Sequence, residues 1–377
     1  MRSCVRSGSS VCLAYAACHF VVDLACISTL MGLVVPLADG WDAALSVPLI
    51  LAYDMLAFCL QLPIGAATDV LGRRWSRHAT LLSLALVAAG VTLACLREPA
   101  FGVAAVVCIA FGNALFHAVG GIEVLGESNG RMAPSGEFIS TGALGVFVGG
   151  LAGFNGWPRT PLLLLALLGI CAVLVLVVAT GPAQEVAAFS LPPARSCLPA
   201  VVLLALTVAL RSYVGMVMAF PWKADVVLAG AVVVGVAVGK AAGGRIADAI
   251  GTPMASAISL GGAALLFLPS WEYAPAGLVA AVLFNFTMAI TLGSLADVLP
   301  RARGMAFGIA SFSLAMGALP ALLGLRVESG AALCVLSLVS LVLLELGLMA
   351  MPRGAEPSTE LDSGRPALGA RLPDGRQ

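Results

Sequence analysis

Charged side chains are scarce in this sequence. They make up 11% of its 377 residues, whereas soluble domains carry about 25%. Basic and acidic side chains are equal at 20 each, so the formal net charge is zero, and no basic surface is expected to attract nucleic acid. So little charge also excludes a disordered chain and a soluble globular enzyme, because both expose far more polar groups.

Motifs for nucleotide and metal chemistry are missing as well. The sequence has no Walker-type G-x-x-x-x-G-K-S/T loop, so ATP is not expected to drive its function. It has no H-E-x-x-H motif, and its ten cysteines are scattered singly, so we expect no metal and no cofactor. One G-x-S-x-G match spans Gly126–Gly130, but a polar loop is the wrong context for a nucleophile elbow. We therefore predict that the protein is not an enzyme.

Apolar residues are what the sequence has in abundance. They make up 60% of the chain, and the mean hydropathy is +1.03. A bilayer-spanning helix needs about 20 mostly apolar residues, and the apolar runs here are continuous, which favours helices over a β-barrel. We predict an all-α membrane protein with twelve transmembrane helices embedded in the lipid bilayer. The predicted spans are 11–37, 44–67, 78–96, 100–122, 136–156, 161–180, 199–221, 225–244, 254–270, 275–296, 304–324 and 330–351.

Arginine and lysine fall mainly on one side of these spans. When the N-terminus is placed in the cytoplasm, most of the 20 basic residues lie in inner segments. Cytoplasmic segments of membrane proteins carry this excess, so we predict that both termini are cytoplasmic. Glu123, Glu127 and Arg131 are assigned to the inner loop after the fourth span. We expect a multi-pass, monomeric protein of the bacterial plasma (inner) membrane.

A polar, proline-containing stretch divides the spans into two groups of six. Its composition is typical of a linker, and the polar C-terminal end of the chain is rich in proline and glycine, as disordered segments are. We predict an N-terminal six-helix bundle at 1–182, a cytoplasmic linker at 183–198, a C-terminal six-helix bundle at 199–352 and a disordered cytoplasmic tail at 353–377.

A glycine–aspartate motif occurs at matching places in the two groups, after the second and the eighth span. Its glycines permit a tight turn between helices, and its carboxylate can meet a helix N-terminus or an arginine. Internal repetition of this kind implies a binding site between the halves near mid-membrane. The copies are Gly65-x-x-x-Asp69-x-x-Gly72-Arg73-Arg74 and Gly244-x-x-x-Asp248-x-x-Gly251.

With the first copy, the chain resembles the major facilitator superfamily of transporters, whose signature after the second span is G-x-x-x-D-x-x-G-R-R/K. The resemblance covers nearly the whole chain and implies two pseudo-symmetric six-helix bundles. It also implies that Asp69 braces the halves on the cytoplasmic side, against the span that begins near Gly304. It further implies that the first, fourth, seventh and tenth spans line a central cavity. Alternatively, Arg73, Arg74 and Arg77 serve only to fix the topology.

A second motif, in the fifth span, bears on the direction of transport. The pattern Gly136-x8-Gly145-Val146-x-x-Gly149-Gly150 resembles that of proton-antiporting exporters in the superfamily, except that Val146 replaces a proline. The alternative is a stripe of small residues for close helix packing. Short elements in the first and fourth spans are also similar to drug-resistance exporters of the fosmidomycin-resistance type, which again implies export.

Ionisable and amide side chains within the spans are the candidates for a substrate and proton pathway, because a charge in the bilayer is costly. His19 and Asp23 share a helix face, and a carboxylate beside an imidazole can exchange a proton near neutral pH. Arg211 suits an anionic substrate group or a carboxylate counter-ion. Each candidate has a structural alternative, and we expect Lys240 and Glu345 to snorkel. The candidates are His19, Asp23, Asp54, Asn113, His117, Arg211 and Asn285.

These observations together predict a secondary active transporter that moves a small solute by alternating access. We expect proton-coupled export, with Asp23 carrying the proton and His19 assisting it. Two alternatives remain open at this point. One is an importer or facilitator of the same fold, and the other is a membrane sensor that transports nothing.

Overall fold

The structure, a computed structural model, describes residues 8–156, 159–178 and 189–352. Within these residues, eleven helices are long and apolar enough to cross a membrane, and a further apolar helix is shorter. Each predicted span corresponds to one of these helices. They are α1 (Gly8–Asp39), α2 (Ser46–Leu71), α3 (Arg73–Ala94), α4 (Pro99–Glu127), α5 (Ala133–Phe154), α6 (Thr160–Val178), α7 (Ala194–Val217), α8 (Val226–Ile250), α9 (Thr252–Phe267), α10 (Ala274–Val298), α11 (Arg303–Leu322) and α12 (Gly330–Met349).

Helices α4 and α7 reach further than the apolar runs that predicted them. α4 continues to Glu127, so the assignment of Glu123 and Glu127 to a loop was wrong. Hydropathy missed these last turns because they are polar, although the carboxylates are satisfied there by an arginine. α7 begins at Ala194, within the stretch predicted as a linker. Residues 183–188 of that linker and the whole predicted tail, 353–377, lie outside the described residues.

The two halves of the chain use equivalent helix pairs. α1 packs along α5, and α7 packs along α11 in the same way. Glycines make both contacts close: a Cβ on Gly149 would lie 2.7 Å from the carbonyl oxygen of Leu24, and Gly317 lies against the backbone of Ala209. Such positions let helix backbones approach where a larger side chain would hold them apart. The glycine stripe of α5 therefore serves helix packing.

Two further pairs join the halves to each other, α2 with α11 and α5 with α8. α10 is interrupted at Asn285, between the helical segments Ala274–Phe284 and Thr287–Val298. Interrupted helices near mid-membrane are typical of transporter binding sites. The described residues thus form an integral, multi-pass helical membrane protein with an internal space between its halves.

Candidate functional site

A cavity of about 550 Å³ lies between the two halves. Its walls come from α1, α2, α4 and α5 on one side and from α7, α8, α10 and α11 on the other. The four helices expected to line a cavity, α1, α4, α7 and α10, are among them, and α2, α5, α8 and α11 contribute as well. Six of the seven candidate side chains line the cavity; Asn113 instead lies behind it, buried against Asp23. The six are His19, Asp23, Asp54, His117, Arg211 and Asn285.

His19, Asp23, Asn113 and His117 form one group, which we call the His–Asp cluster. The Nε2 atoms of His19 and His117 are 2.7 Å apart. The Asp23 carboxylate lies 3.2 Å from His19 Nε2 and 3.5 Å from His117 Nε2. Asn113 Nδ2 donates to Asp23 Oδ1 at 2.8 Å. The cluster therefore joins α1 to α4 through four polar side chains in the interior of the membrane-spanning bundle.

Helix geometry explains how the sequence builds this cluster. His19 and Asp23 are four residues apart on α1, and Asn113 and His117 are four apart on α4, so each pair shares one face. Gly142 of α5 completes the fit, because a Cβ there would collide with the His19 ring and lie 2.6 Å from Asp23 Oδ2. Gly142 was not among the predicted site residues, although its position three residues before the glycine stripe was a usable signal.

Backbone carbonyls fix the protonation of the two rings. His19 Nδ1 lies 2.7 Å from the Phe138 carbonyl oxygen, and His117 Nδ1 lies 2.9 Å from the Asn113 carbonyl oxygen. A carbonyl only accepts, so both Nδ1 atoms carry the hydrogen. In two neutral rings, both Nε2 atoms would then present lone pairs to each other across 2.7 Å. That arrangement is repulsive, so the pair requires one additional proton or another cation.

The separation of the rings favours the proton. His19, Asp23 and His117 offer three possible ligand atoms within 4.8 Å of one another. Two imidazole nitrogens on one tetrahedral Zn²⁺, with bonds of about 2.1 Å, would lie about 3.4 Å apart. The observed 2.7 Å between the Nε2 atoms is a hydrogen-bond distance. The cluster thus fits a shared proton, with the Asp23 carboxylate as its counter-charge.

The opposite wall of the cavity carries cations. Arg211 of α7 is 5% exposed, and its buried Nε and Nη2 have no hydrogen-bond partner among the described residues. Lys240 of α8 lines the same wall, within electrostatic range of Arg211 and Asp23. Asn285 completes it, with its amide nitrogen donating to the Ala281 carbonyl at 2.8 Å. This wall is therefore positively charged and only partly satisfied.

Lys240 is a cavity-lining cation that sequence reasoning missed. Its position toward one end of the eighth span suggested snorkelling to the membrane surface, but the structure turns it into the cavity. A signal was present: Lys240 is four residues from Gly244 and shares its helix face, and that face meets the other half at Met132. A lysine on an inter-half face is a better candidate than one on a lipid face.

Asp54 stands apart from the His–Asp cluster. It lines the cavity on α2, and no hydrogen bond or ion pair joins it to another described residue. Gln61 lies seven residues after Asp54, on the same face of α2. Its amide nitrogen donates to the Ala57 carbonyl at 2.8 Å, and its buried Oε1 has no partner in the described chain. The structure thus gathers His19, Asp23, Asn113 and His117, and leaves Asp54 and Arg211 separate.

The first glycine–aspartate motif closes one end of the space between the halves; we call this end, marked by Asp69 and Asp248, the motif end. The Asp69 carboxylate accepts hydrogen bonds from the amides of Gly304 and Met305, both at 2.8 Å. These amides begin α11, where free N–H groups and the helix dipole favour an anion. Gly65 and Gly304 bring the two backbones together, because a Cβ on Gly65 would collide with the Gly304 carbonyl.

The second motif makes the same contact in the reverse direction. Asp248 of α8 accepts from the amides of Met132 at 2.8 Å and Ala133 at 3.0 Å, at the start of α5. Gly244 packs against the Met132 carbonyl, so α8 and α5 also approach each other closely here. The second copy therefore works without the arginine pair that follows the first.

The glycines that end the motifs are also equivalent. Gly72 and Gly251 follow α2 and α8 with φ of +79° and +85°, a backbone region that residues with a Cβ rarely adopt. Each reverses the chain directly after the aspartate helix. The backbone at the last glycine of the motif therefore requires glycine in both halves.

Arg73 has a role that topology alone would not give it. Its Nε and Nη2 bind the two carboxylate oxygens of Glu123 at 3.0 and 2.6 Å, and Nη2 also reaches Glu127 at 2.8 Å. These contacts tie the start of α3 to the end of α4 within one half. Arg74 is exposed at the same turn. Arg73 is therefore a structural arginine, whereas Arg74 is placed as a topology determinant would be.

Comparison with known proteins gives the fold. No protein-family model and no curated protein matches the sequence. Among solved structures, the Escherichia coli fucose:proton symporter FucP has a TM-score of 0.66 at 10% identity, covering 92% of this chain and 100% of that chain. The human organic anion transporter MFSD10 (TETRAN) has a TM-score of 0.68 at 17% identity, covering 90% of this chain and 99% of that chain.

A second structure of FucP, described as an outward conformation, has a TM-score of 0.66 at 11% identity, covering 91% of this chain and 100% of that chain. The chain therefore has the major facilitator superfamily fold, which confirms the two six-helix bundles predicted from the sequence.

Proposed function

We propose that this chain is a secondary active transporter, not an enzyme, which moves a small solute by alternating access and couples its movement to protons. The observation that carries the proposal is the His19–His117 hydrogen bond beside Asp23, on the wall of the cavity. With both Nδ1 atoms bound to carbonyls, this pair has a place for one exchangeable proton. The low dielectric of the site makes that proton sensitive to any nearby charge.

Alternating access is supported by the contrast between the two ends of the cavity. The motif end is held shut by Asp69 and Asp248, each on a helix N-terminus of the other half. The cavity instead extends to Met218 and Leu322, where α7 and α11 end on the opposite side. If the motif end faces the cytoplasm, as the distribution of arginines predicts, this is an outward-facing state. Opening inward requires both carboxylate contacts to break.

Coupling follows from competition for one carboxylate. Asp23 stabilises the shared proton in the present arrangement, and Lys240 lies within electrostatic range of it. If the halves move so that a cation from the opposite wall approaches Asp23, the proton loses its counter-charge and is released. Binding of the solute to the cations of the opposite wall draws the two halves together and brings about this approach, so the solute expels the proton. Proton and solute therefore exchange through one site, and we propose that the direction is export by antiport across the bacterial plasma (inner) membrane.

Proteoliposomes loaded with a pH-sensitive dye test this proposal. A panel of toxic compounds and nutrients is first screened by growth of deletion and overexpressing strains, and active compounds are then added under an imposed pH gradient. We expect a transported compound to dissipate the gradient with the wild-type protein but not with Asp23→Asn. Glu328→Gln, which removes an exposed carboxylate outside the cavity, should behave as wild type.

The other outcomes are informative. Solute flux in the same direction as the protons would identify a symporting importer, and flux without any proton movement would identify a facilitator. No flux of any compound, in vesicles where binding is demonstrated, would favour a membrane sensor and contradict the proposal.

A further inference from the structure

Arg211 is a charged group of the cavity that is buried without a counter-charge among the described residues. Its Nε and Nη2 have no hydrogen-bond partner among the described residues, and its side chain lines the cavity. A guanidinium stays protonated even where burial disfavours charge. Burying it unpaired is therefore costly, and the cost is removed only if something else supplies the missing acceptors.

Arg73 shows what the same edge of a guanidinium binds elsewhere in this protein. There, Nε and Nη2 bind the two oxygens of the Glu123 carboxylate at 3.0 and 2.6 Å. These are the two atoms that are buried without a partner in Arg211, among the described residues. The edge has two parallel N–H donors, and a planar or tetrahedral oxyanion accepts both at once.

Among the described residues, no carboxylate fills that edge. Asp23 is engaged by Asn113 and by the histidines of the His–Asp cluster. Asp54 lines the cavity but forms no ion pair with Arg211 among the described residues. Lys240 adds a second cation within electrostatic range of Arg211. The two positive charges repel each other, and an anion bound between them would remove this repulsion.

We propose that the solute carries a compact oxyanion, a carboxylate, phosphonate or phosphate, which binds the Nε/Nη2 edge of Arg211 with Lys240 as second cation. This inference rests on the proposed function only for the solute being transported; binding itself does not require proton coupling. Much of the lining that α8 and α10 contribute is apolar and fits the non-ionic part of an organic anion. It includes Val232, Val236, Phe284, Met288 and Leu292.

Binding measurements with matched probes test the inference on purified protein in nanodiscs. The probes are benzoate and phenylphosphonate, with benzyl alcohol as the neutral match and benzyltrimethylammonium as the cationic match. Calorimetry should show the anions binding at least about tenfold more tightly than both matches. Arg211→Gln should remove that preference, Arg211→Lys should restore part of it, and Lys240→Gln should weaken it. Arg326→Gln, which removes an exposed cation outside the cavity, should leave it unchanged.

Thermal unfolding without ligand separates a binding arginine from a structural one. An unpaired buried cation destabilises the empty protein, so Arg211→Met should raise the melting temperature. A structural counter-ion would instead give a lower melting temperature, and together with an unchanged anion preference in Arg211→Gln this would overturn the inference. Equal binding of neutral and anionic probes to the wild type would overturn it as well.

Two further experiments separate a dissolved anion from a lipid headgroup, and the anion site from the proposed proton coupling. Nanodiscs of phosphatidylglycerol and of phosphatidylcholine should give the same probe affinity if the ligand is a dissolved anion; weaker binding in phosphatidylglycerol would identify a lipid headgroup as the occupant. Asp23→Asn should lose coupling but keep anion binding. Anion binding in a wild type that moves no protons would leave this inference standing and remove the proposed function, whereas coupled transport of cations alone would do the reverse.

Discussion

The two walls of the cavity differ in how their charges are balanced. On the N-terminal wall, Asp23 is held by an amide and two imidazoles, and the group as a whole needs one small cation, which a proton supplies. On the wall built by the C-terminal half, Arg211 has an unpaired donor edge among the described residues, and Lys240 lines the same wall within electrostatic range of it. A nearly balanced group is suited to a proton, while an unbalanced one needs a ligand that brings its own charge.

The two motif copies give a second comparison, in which the difference matters less. Asp69 and Asp248 make the same pair of hydrogen bonds to a helix start in the other half. Only the first copy has an arginine bound to Glu123, and the second has an exposed Arg245–Glu137 pair at 2.6 Å. The inter-half contact is thus the carboxylate on the helix N-terminus, and the arginines around it are accessory.

The largest expected effect separates the two walls. Asp23→Asn removes a charged acceptor, and hydrogen bonds to charged groups are worth about 1.5–3 kcal/mol, so uphill transport should fall about 100-fold. Solute counterflow should survive, because the C-terminal wall is intact. Arg211→Gln, by contrast, should lose both uphill transport and counterflow. Flux assays under a pH gradient and at equilibrium measure the two. If Asp23→Asn still moves solute uphill at the wild-type rate, coupling lies elsewhere, and Asp54 or His117 is the next candidate.

The next effect concerns the closeness of the halves at the motif end. In Gly65→Ala, the new Cβ would lie 2.6 Å from the carbonyl carbon of Gly304, and overpacking costs about 1–3 kcal/mol. Transport should slow about tenfold, and amide exchange at the start of α11 should quicken. Gly169→Ala is the matched control, since a Cβ there meets nothing within 4 Å. Equal behaviour of the two variants would show that the close approach is dispensable.

The two aspartates should then prove equivalent. Asp69→Asn and Asp248→Asn each weaken a cap worth about 0.5–2 kcal/mol, so each should slow transport about fivefold without affecting folding. Hydrogen exchange gives the sharper readout, because Asp69→Asn should expose only the start of α11 and Asp248→Asn only the start of α5. Normal transport of Asp69→Asn at normal expression would show that its carboxylate is not needed in the cycle.

These comparisons also show how far the sequence leads. Twelve apolar runs and a repeated motif were enough for the fold, because span length and period are local properties of the chain. The i,i+4 spacing of His19 and Asp23, and of Asn113 and His117, placed each pair on one face. The contact between the pairs, however, depends on the packing of α1, α4 and α5, which no single segment encodes.

The missed details share that cause. The Phe138 carbonyl fixes the hydrogen on His19 Nδ1, and a backbone acceptor carries no signature in the residue type. Lys240 was assigned to the membrane surface because depth along a span can be read from the sequence, while the direction of its face depends on the neighbouring half. Arg211 was recognised as a candidate, but its lack of a partner is visible only once every carboxylate has been placed.

A smaller effect tests the sharing of the proton between the rings. In His19→Gln, the proton has one imidazole instead of two, with Asp23 and His117 still facing each other at 3.5 Å. Transport should continue, because the carboxylate remains, but the proton is held less firmly and the optimum should move about one unit to lower pH. Rate profiles against pH measure this shift. An unchanged optimum would mean that His19 is only a packing partner of Phe138.

The smallest expected effect concerns Lys223, at the mouth of the cavity on the side of Arg211 and Lys240. Lys223 donates to the Met218 carbonyl at 2.9 Å, and burial lowers the pKa of its ammonium. Its charge is therefore lost at a lower pH than that of an exposed lysine, and any help it gives to an incoming anion fades as pH rises. Lys223→Gln should slow association of phenylphosphonate only about twofold at low salt, and not at all at high salt, because a charge at the mouth steers without binding. Lys240→Gln should instead speed dissociation, since that cation contacts the bound oxyanion. Stopped-flow measurements separate the two rates, and a Lys223→Gln variant that changed dissociation would extend the anion site outward to the mouth of the cavity.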